Sequence, residues 1–263
     1  MNLLSWNVAG RQQGSLAAQL ERVLGQQADV VTLQEITAKS YAPWVEGLVG
    51  AGYSLVSSID LLAIPYPEPI KRKNFNLVAT RGRIAPLPGL TWPDAEEARV
   101  AFPEKYVAAL VECDGLQVEV HNAHLPPGSS RGIIKPQAFN AIARRLDEPT
   151  RAPQILCGDF NSPIREDDQG VTSAGQRHPG IPWWGAAELG VLEHPRLRDV
   201  YRAQHRPGTE FAVSHVTRGG NKRYDHIYAD PAELHCTTCS YATEWMEQGL
   251  SDHAALQAMF ARP

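Results

Sequence analysis

No stretch of this 263-residue chain approaches the ~20 consecutive apolar residues that a membrane-spanning helix needs. The N-terminus lacks a basic segment followed by an apolar run of about 7–15 residues, so no secretory leader is read there. The cytoplasm is the expected location. Cysteine is sparse: Cys113, Cys157, Cys236 and Cys239 form no dense, even framework. Cys236 and Cys239 make a lone C-x-x-C with no second pair, whereas a structural zinc usually takes four ligands. Reduced thiols on a strand are expected there. Excess positive charge is also missing. A net charge of -4 and a pI of about 6.1 exclude a protein that coats nucleic acid non-specifically. A nuclease stays allowed, because local patches and a bound divalent cation can offset an acidic average.

What is present is an ordinary globular composition, 43% hydrophobic and 21% charged, without an internal repeat. Residues 2–8 read as a strand. Leu16, Leu20, Val23 and Leu24 follow at helical spacing, with Ser15 as a candidate N-cap. Asp29 to Gln34 is an apolar strand that ends in Glu35. Tyr41 to Val49 reads as a helix with Pro43 in its first turn. Tyr106–Cys113 and Leu116–Asn122 flank Asp114-Gly115, a hairpin signal, and alternation along the second strand predicts that it is half exposed. A helix over 137–146 precedes the strand Pro153–Cys157. Further strands are read over 222–228, 234–241 and 254–260. Hairpins mixed with helices point to mixed sheets with helices outside.

Polar blocks stand where these apolar runs end: Ser5-Trp6-Asn7, Leu33-Gln34-Glu35, Gly158-Asp159-Phe160-Asn161 and Ser251-Asp252-His253. His124 in Asn-Ala-His-Leu and Asp225 in Tyr-Asp-His-Ile join them. Acids, amides and imidazoles gathered at one rim of a buried sheet are what metal-assisted attack on a phosphate ester requires. Asn7 and His253 lie near opposite ends of the chain, so one fold must unite them. A single domain over 1–263 is expected. His226 follows Asp225 directly and should point to the opposite face.

This ordered set resembles the endonuclease/exonuclease/phosphatase superfamily from Ser5 to His253. The resemblance implies a four-layer α/β sandwich, two mixed β-sheets flanked by helices, with Mg²⁺ at one rim and Mn²⁺ as a substitute. It implies Glu35 as principal metal ligand, Asn7 orienting Glu35 and metal or touching the phosphate, and Asp252 as a second carboxylate. Asp159 would prepare the attacking water, Asn161 would hold water and phosphate in line, and Asp225 would fix the tautomer of His253. Whether Asp159 or His253 takes the proton stays open. His124, which could protonate the leaving oxygen or grip the phosphate, stands where abasic-site enzymes of this superfamily usually carry tyrosine, which counts against that specialisation.

The implied activity is hydrolysis of phosphodiesters, first of all DNA. The alternative is a small phosphate ester such as an inositol phosphate or a phospholipid head group. A third reading, a binding module without catalysis, would need a missing catalytic residue, and none is missing. No obligate protein partner is indicated. Around the rim, Trp183 and Trp184 could stack substrate or serve in packing. Arg72, in Lys71-Arg72-Lys73, could meet phosphates or be solvated. Both lie in proline-rich or glycine-rich segments, 59–74 and 162–184, that read as loops.

Overall fold

The structure is a computed structural model, described here for residues 1–10, 16–61, 74–90, 103–127, 133–162, 164–167, 170–173, 182–205, 212–217 and 220–262. Ser15, Lys71, Arg72 and Lys73, and most of the two expected loops, lie outside the described residues.

The chain opens with β1 (Asn2–Asn7), α1 (Leu16–Gly25), β2 (Val30–Ile36), α2 (Ala38–Gly50), β3 (Ser54–Ser57) and β4 (Phe75–Thr80). Next come β5 (Arg83–Pro86), a 3-10 turn at Pro103–Lys105, β6 (Tyr106–Cys113), β7 (Leu116–His124) and α3 (Ile134–Asp147). β8 (Gln154–Asp159), β9 (Ile164–Asp167), β10 (Gly170–Ser173), α4 (Trp184–Leu192), β11 (Arg198–Asp199) and α5 (Val200–Gln204) follow. The last elements are β12 (His215–Thr217), β13 (Gly220–Lys222), β14 (Asp225–Ala229), β15 (His235–Ala242), α6 (Thr243–Glu247) and β16 (Ala255–Ala261).

Two six-stranded sheets dominate, ordered β15-β16-β1-β2-β4-β3 and β11-β14-β8-β7-β6-β5. Each contains one parallel pair, β1 with β2 and β7 with β8, among antiparallel neighbours. The expected mixed sheets flanked by helices are what the chain forms. Strand alternation sorts side chains into layers. Leu3 and Val30 meet Val120 and Ile155 between the sheets. Leu4, Trp6, Val31 and Leu33 pack outward against Val23, Trp44 and Leu48 of α1 and α2. Leu156 and Ala123 pack against Phe139 and Ile142 of α3 and Val191 of α4. Helices, sheet, sheet and helices therefore stack as four layers.

Some local readings need correction. Helix α2 starts at Ala38, because Thr37 and Ser40 form a reciprocal capping box ahead of it. Pro43 consequently lies inside the helix, beyond its first turn. β7 is not half exposed: Glu119 and His121 are buried on the face that α3 covers. Thr150 donates a hydrogen bond to Glu119 at 2.5 Å, and the Tyr106 hydroxyl meets His121 Nδ1 at 2.5 Å. These bonds engage one polar atom of each side chain, and the other two, Glu119 Oε2 and His121 Nε2, face each other at 3.5 Å. The segment 162–184 is not all loop, since β9 and β10 pair within it. The Asp114-Gly115 turn forms as expected, with φ of +50° and +72° joining paired Cys113 and Leu116.

Candidate active site

The layer between the sheets grows polar toward one rim. Beyond Leu3 and Ile155, Thr32 Oγ1 meets Cys157 Sγ at 3.3 Å. One step further, Gln34 donates to Asn122 Oδ1 at 2.8 Å, and Asn122 donates in turn to Leu33 O and Leu77 O. Last come Asn7 and Asp159. In β1 residues 3, 5 and 7 face the other sheet; in β8 residues 155, 157 and 159 do so. Alternation therefore brings Asn7 Nδ2 to 2.9 Å from Asp159 Oδ2. The Asn7 Oδ1 accepts from Ala9 N at 3.0 Å, so both ends of this amide are engaged.

Asp159 is buried, yet almost every oxygen lone pair it offers has a donor. Asn161 gives its backbone N–H to Oδ1 at 2.9 Å and its side-chain amide to Oδ2 at 3.1 Å. Asn161 can do both because it sits in the left-handed region, φ +49°. Lys135, buried at the start of α3, donates to Asn161 O at 2.6 Å and pins that turn. Gly158 precedes the acid at φ +128°, and a Cβ there would lie 1.9 Å from Ala123 O. Glycine is what lets β8 approach β7 so closely.

Glu35 reaches the rim by a different device. Alternation would send it outward with Leu33. Instead the β2–β4 register shifts between Leu33 and Ile36, and Glu35 adopts φ +63°. A bulge of this kind re-aims one side chain. Gly10 makes room, since a Cβ there would lie 1.9 Å from Glu35 O. The Glu35 side chain keeps 22% of its surface open, and its Oε1 stands 3.6 Å from His124 Nε2. His124 Nε2 is also 3.7 Å from Asp159 Oδ2.

The remaining pair comes from the second half of the chain. Asp225 lies directly opposite Asp159 in the β8–β14 register. Its Oδ2 binds His253 Nδ1 at 2.8 Å, while its Oδ1 is buried with no partner. His253 Nε2 lies 3.8 Å from Asp159 Oδ2. Trp6 Nε1 donates to His253 O, and Ser251 Oγ donates to Asn7 O, tying the two ends of the chain together. His226 faces away, against Asp199 and Arg223.

Electrostatics separates the groups. Burial alone would discharge His253, but the Asp225 and Asp159 carboxylates outweigh it and push its pKa up to about 10. Asp159 is raised to about 7 by burial and then by Asp225. Burial, followed by the Lys105 and His253 cations, holds His124 well below the usual imidazole range. One imidazole is thus charged beside a carboxylate near neutrality, and the other is neutral.

Two site residues escaped sequence reading. Lys105 Nζ lies 3.1 Å from His124 Nδ1, and His215 stacks on His253 with ring centroids 4.2 Å apart. Neither belongs to a motif; each arrives through long-range pairing. Trp184 is corrected: it is fully buried as the first residue of α4 and offers no face to a substrate. Trp183 beside it is 37% exposed.

A model of the Endonuclease/Exonuclease/phosphatase family matches residues 4–253. This chain belongs to that family. Members hydrolyse phosphoester bonds, so the protein is an enzyme of that class. Among curated protein sequences no significant match is found. Solved structures share the fold. An AP endonuclease from Archaeoglobus fulgidus is 19% identical with a TM-score of 0.72, covering 99% of each chain. The 3'-5' exonuclease NExo from Neisseria meningitidis is 23% identical with a TM-score of 0.66, again covering 99% of each chain. The human nocturnin catalytic domain is 17% identical with a TM-score of 0.64, covering all of this chain and 93% of that one.

Family enzymes generally use divalent metals, and the donors here fit a hard cation. Glu35 presents a partly open carboxylate held out on a bulge, while Asp159 and Asp225 are buried. Among the described residues, two acid–histidine clusters are tight enough to hold an ion, Asp159–Asp225–His253 and His215–Asp252–His253; Glu35 is in neither. Asp252 is exposed and adjoins His215 and His253. No helix among the described residues is long and apolar enough to cross a membrane.

Proposed function

We propose that this protein is a divalent-cation-dependent phosphodiesterase acting on DNA. The single observation that carries the reading is the contact row Asn7–Asp159–His253–Asp225. It puts a carboxylate that titrates near neutrality beside an imidazole that stays charged. Asp159 is the base that takes the proton of the attacking water, held by the Asn7 and Asn161 amides. His253, charged by Asp225, donates from Nε2 to a non-bridging phosphoryl oxygen as charge builds there. That division favours Asp159 over His253 as the base. Glu35, Asp252 and the second lone pair of Asn7 Oδ1 are the proposed cation ligands. Mg²⁺ suits such oxygens, with Mn²⁺ as substitute, and when bound the ion supplies neutralisation of the phosphate charge.

DNA is favoured as substrate by likeness. NExo from Neisseria has been solved with a product DNA hairpin, and D. rerio TDP2 with a single-strand DNA product. Trp183 and the Arg72 segment are proposed to meet it. A second reading, a small phosphate ester, is favoured by the net charge of -4. The whole chain acts as one domain, since residues near both ends complete one site. Four free cysteines accord with a reducing cytoplasm. Plasmid and oligonucleotide cleavage, run beside a panel of small esters with and without EDTA, tests the proposal. Activity indifferent to chelation, or surviving in Asp159→Asn, would overturn it.

A further inference from the structure

Lys105 enters the site from outside every motif. Its backbone is pinned: Ser58 Oγ donates to Glu104 O at 2.6 Å, and Asn76 Nδ2 donates to Lys105 O at 2.9 Å. The same Asn76 amide also donates to Asn122 O on β7, the strand that carries His124. One side chain therefore fixes lysine and histidine to a common frame.

The Lys105 Nζ stands 3.1 Å from His124 Nδ1. An ammonium has three N–H donors and no lone pair, so the nitrogen facing it must be the unprotonated one. A doubly protonated ring would put two donors face to face. The single ring proton of His124 is thus on Nε2. That atom lies 3.6 Å from Glu35 Oε1 and 3.7 Å from Asp159 Oδ2, beyond direct hydrogen-bond length to either. The proton projects between the two carboxylates, uncommitted. His253 is held in the opposite sense, because its Nδ1 faces the acceptor-only Asp225 at 2.8 Å.

We propose that Lys105 is a positioning residue: it locks His124 as a neutral imidazole whose Nε2–H is aimed at a phosphoryl oxygen of the substrate. This rests on the hydrolase reading above and refines it. His124 is then a fixed hydrogen-bond donor and does not protonate the leaving group. Asp159 takes the proton of the attacking water, and the departing oxygen takes its proton from solvent water. The lock needs a side chain that only donates, so arginine can replace Lys105 and glutamate cannot.

The test is a long-range ¹H–¹⁵N spectrum of the full chain labelled at histidine nitrogens, with Mg²⁺ present and the His124 signals assigned by His124→Gln. The wild type and Lys105→Arg should show Nδ1 unprotonated and Nε2 protonated. Lys105→Glu should show Nδ1 protonated, since a carboxylate only accepts. Alongside, Lys105→Glu should lose roughly 10–100-fold in kcat/KM, as loss of an orienting partner does, while Lys105→Arg stays within a few-fold. A protonated Nδ1 in the wild type, or an unprotonated one in Lys105→Glu, overturns the lock. The spectrum reads it without turnover, so failure to hydrolyse any phosphoester would sink the hydrolase reading separately.

Discussion

Asp225 stands directly across from Asp159 in the pairing of β14 with β8, and His253 is hydrogen-bonded to Asp225 at 2.8 Å with its other nitrogen 3.8 Å from Asp159. Burial, and then the Asp225 charge across the strand pair, disfavours the ionised form of Asp159. Asp159, raised to about 7, must lose its proton to act as base; His253, raised to about 10, must keep its own to donate. Activity should therefore rise as pH passes about 7 and fall as it approaches 10. A pH profile of kcat/KM checks both limbs. A profile flat from pH 6 to 10 would remove these assignments.

Replacing Asp225 by asparagine removes the charge that most strongly favours imidazolium at His253. The alkaline limb should then move down from about 10, and the rate near neutrality should fall by roughly 10²–10⁴. Folding stability should follow the same sign. A histidine pKa raised above the unfolded value stabilises below that value and loses the contribution as pH climbs through the folded one. The wild type should thus lose more stability between pH 7 and 10 than Asp225→Asn does, as read by urea unfolding at several pH values.

Gly158→Ala should not be a mild change. An added methyl would meet Ala123 O at 1.9 Å, at a φ of +128° that alanine resists. Backbone on both sides leaves nothing soft to yield. Destabilisation of more than about 3 kcal/mol is expected, measured by denaturant midpoint at constant m-value. An alanine variant as stable as the wild type would mean that β7 and β8 do not approach as described.

Lys135 offers an opposite pH signature. Burial lowers its pKa to about 8, against the attraction of Glu188 at 3.8 Å. Between about 8 and 10.5 the unfolded chain holds a proton that the folded one has released, so stability should rise with pH across that window. Lys135→Met should abolish this rise. Because Lys135 also anchors Asn161 O, the variant should turn over about tenfold more slowly with its metal requirement unchanged. Identical stability–pH curves for the two proteins would refute the assignment.

Much of the site was legible because of where polar residues interrupt apolar strands. Asn7, Asp159 and Asp225 end or begin strands whose period-2 pattern already assigns their faces, and the fold places them on the inter-sheet face. Glu35 was identified by its motif, but alternation alone would have turned it away; the bulge and the left-handed backbone that redirect it leave no clear mark in Leu-Gln-Glu. Trp184 shows the converse limit. A tryptophan pair before an apolar run reads equally as a binding platform or a buried helix start, and only packing against α4's surroundings tells them apart. Glu119 and His121 looked exposed because alternation counts faces, not what covers them.

By itself the sequence determined the layered α/β architecture and the identity of the acids, amides and imidazoles at one rim, since side-chain period and strand-end position are local properties. Tertiary structure alone decided which proton sits on which nitrogen. That depends on Lys105 reaching His124 and on Asp225 reaching His253 across β16 and β14, contacts between segments whose separation along the chain carries no electrostatic information until the sheets close.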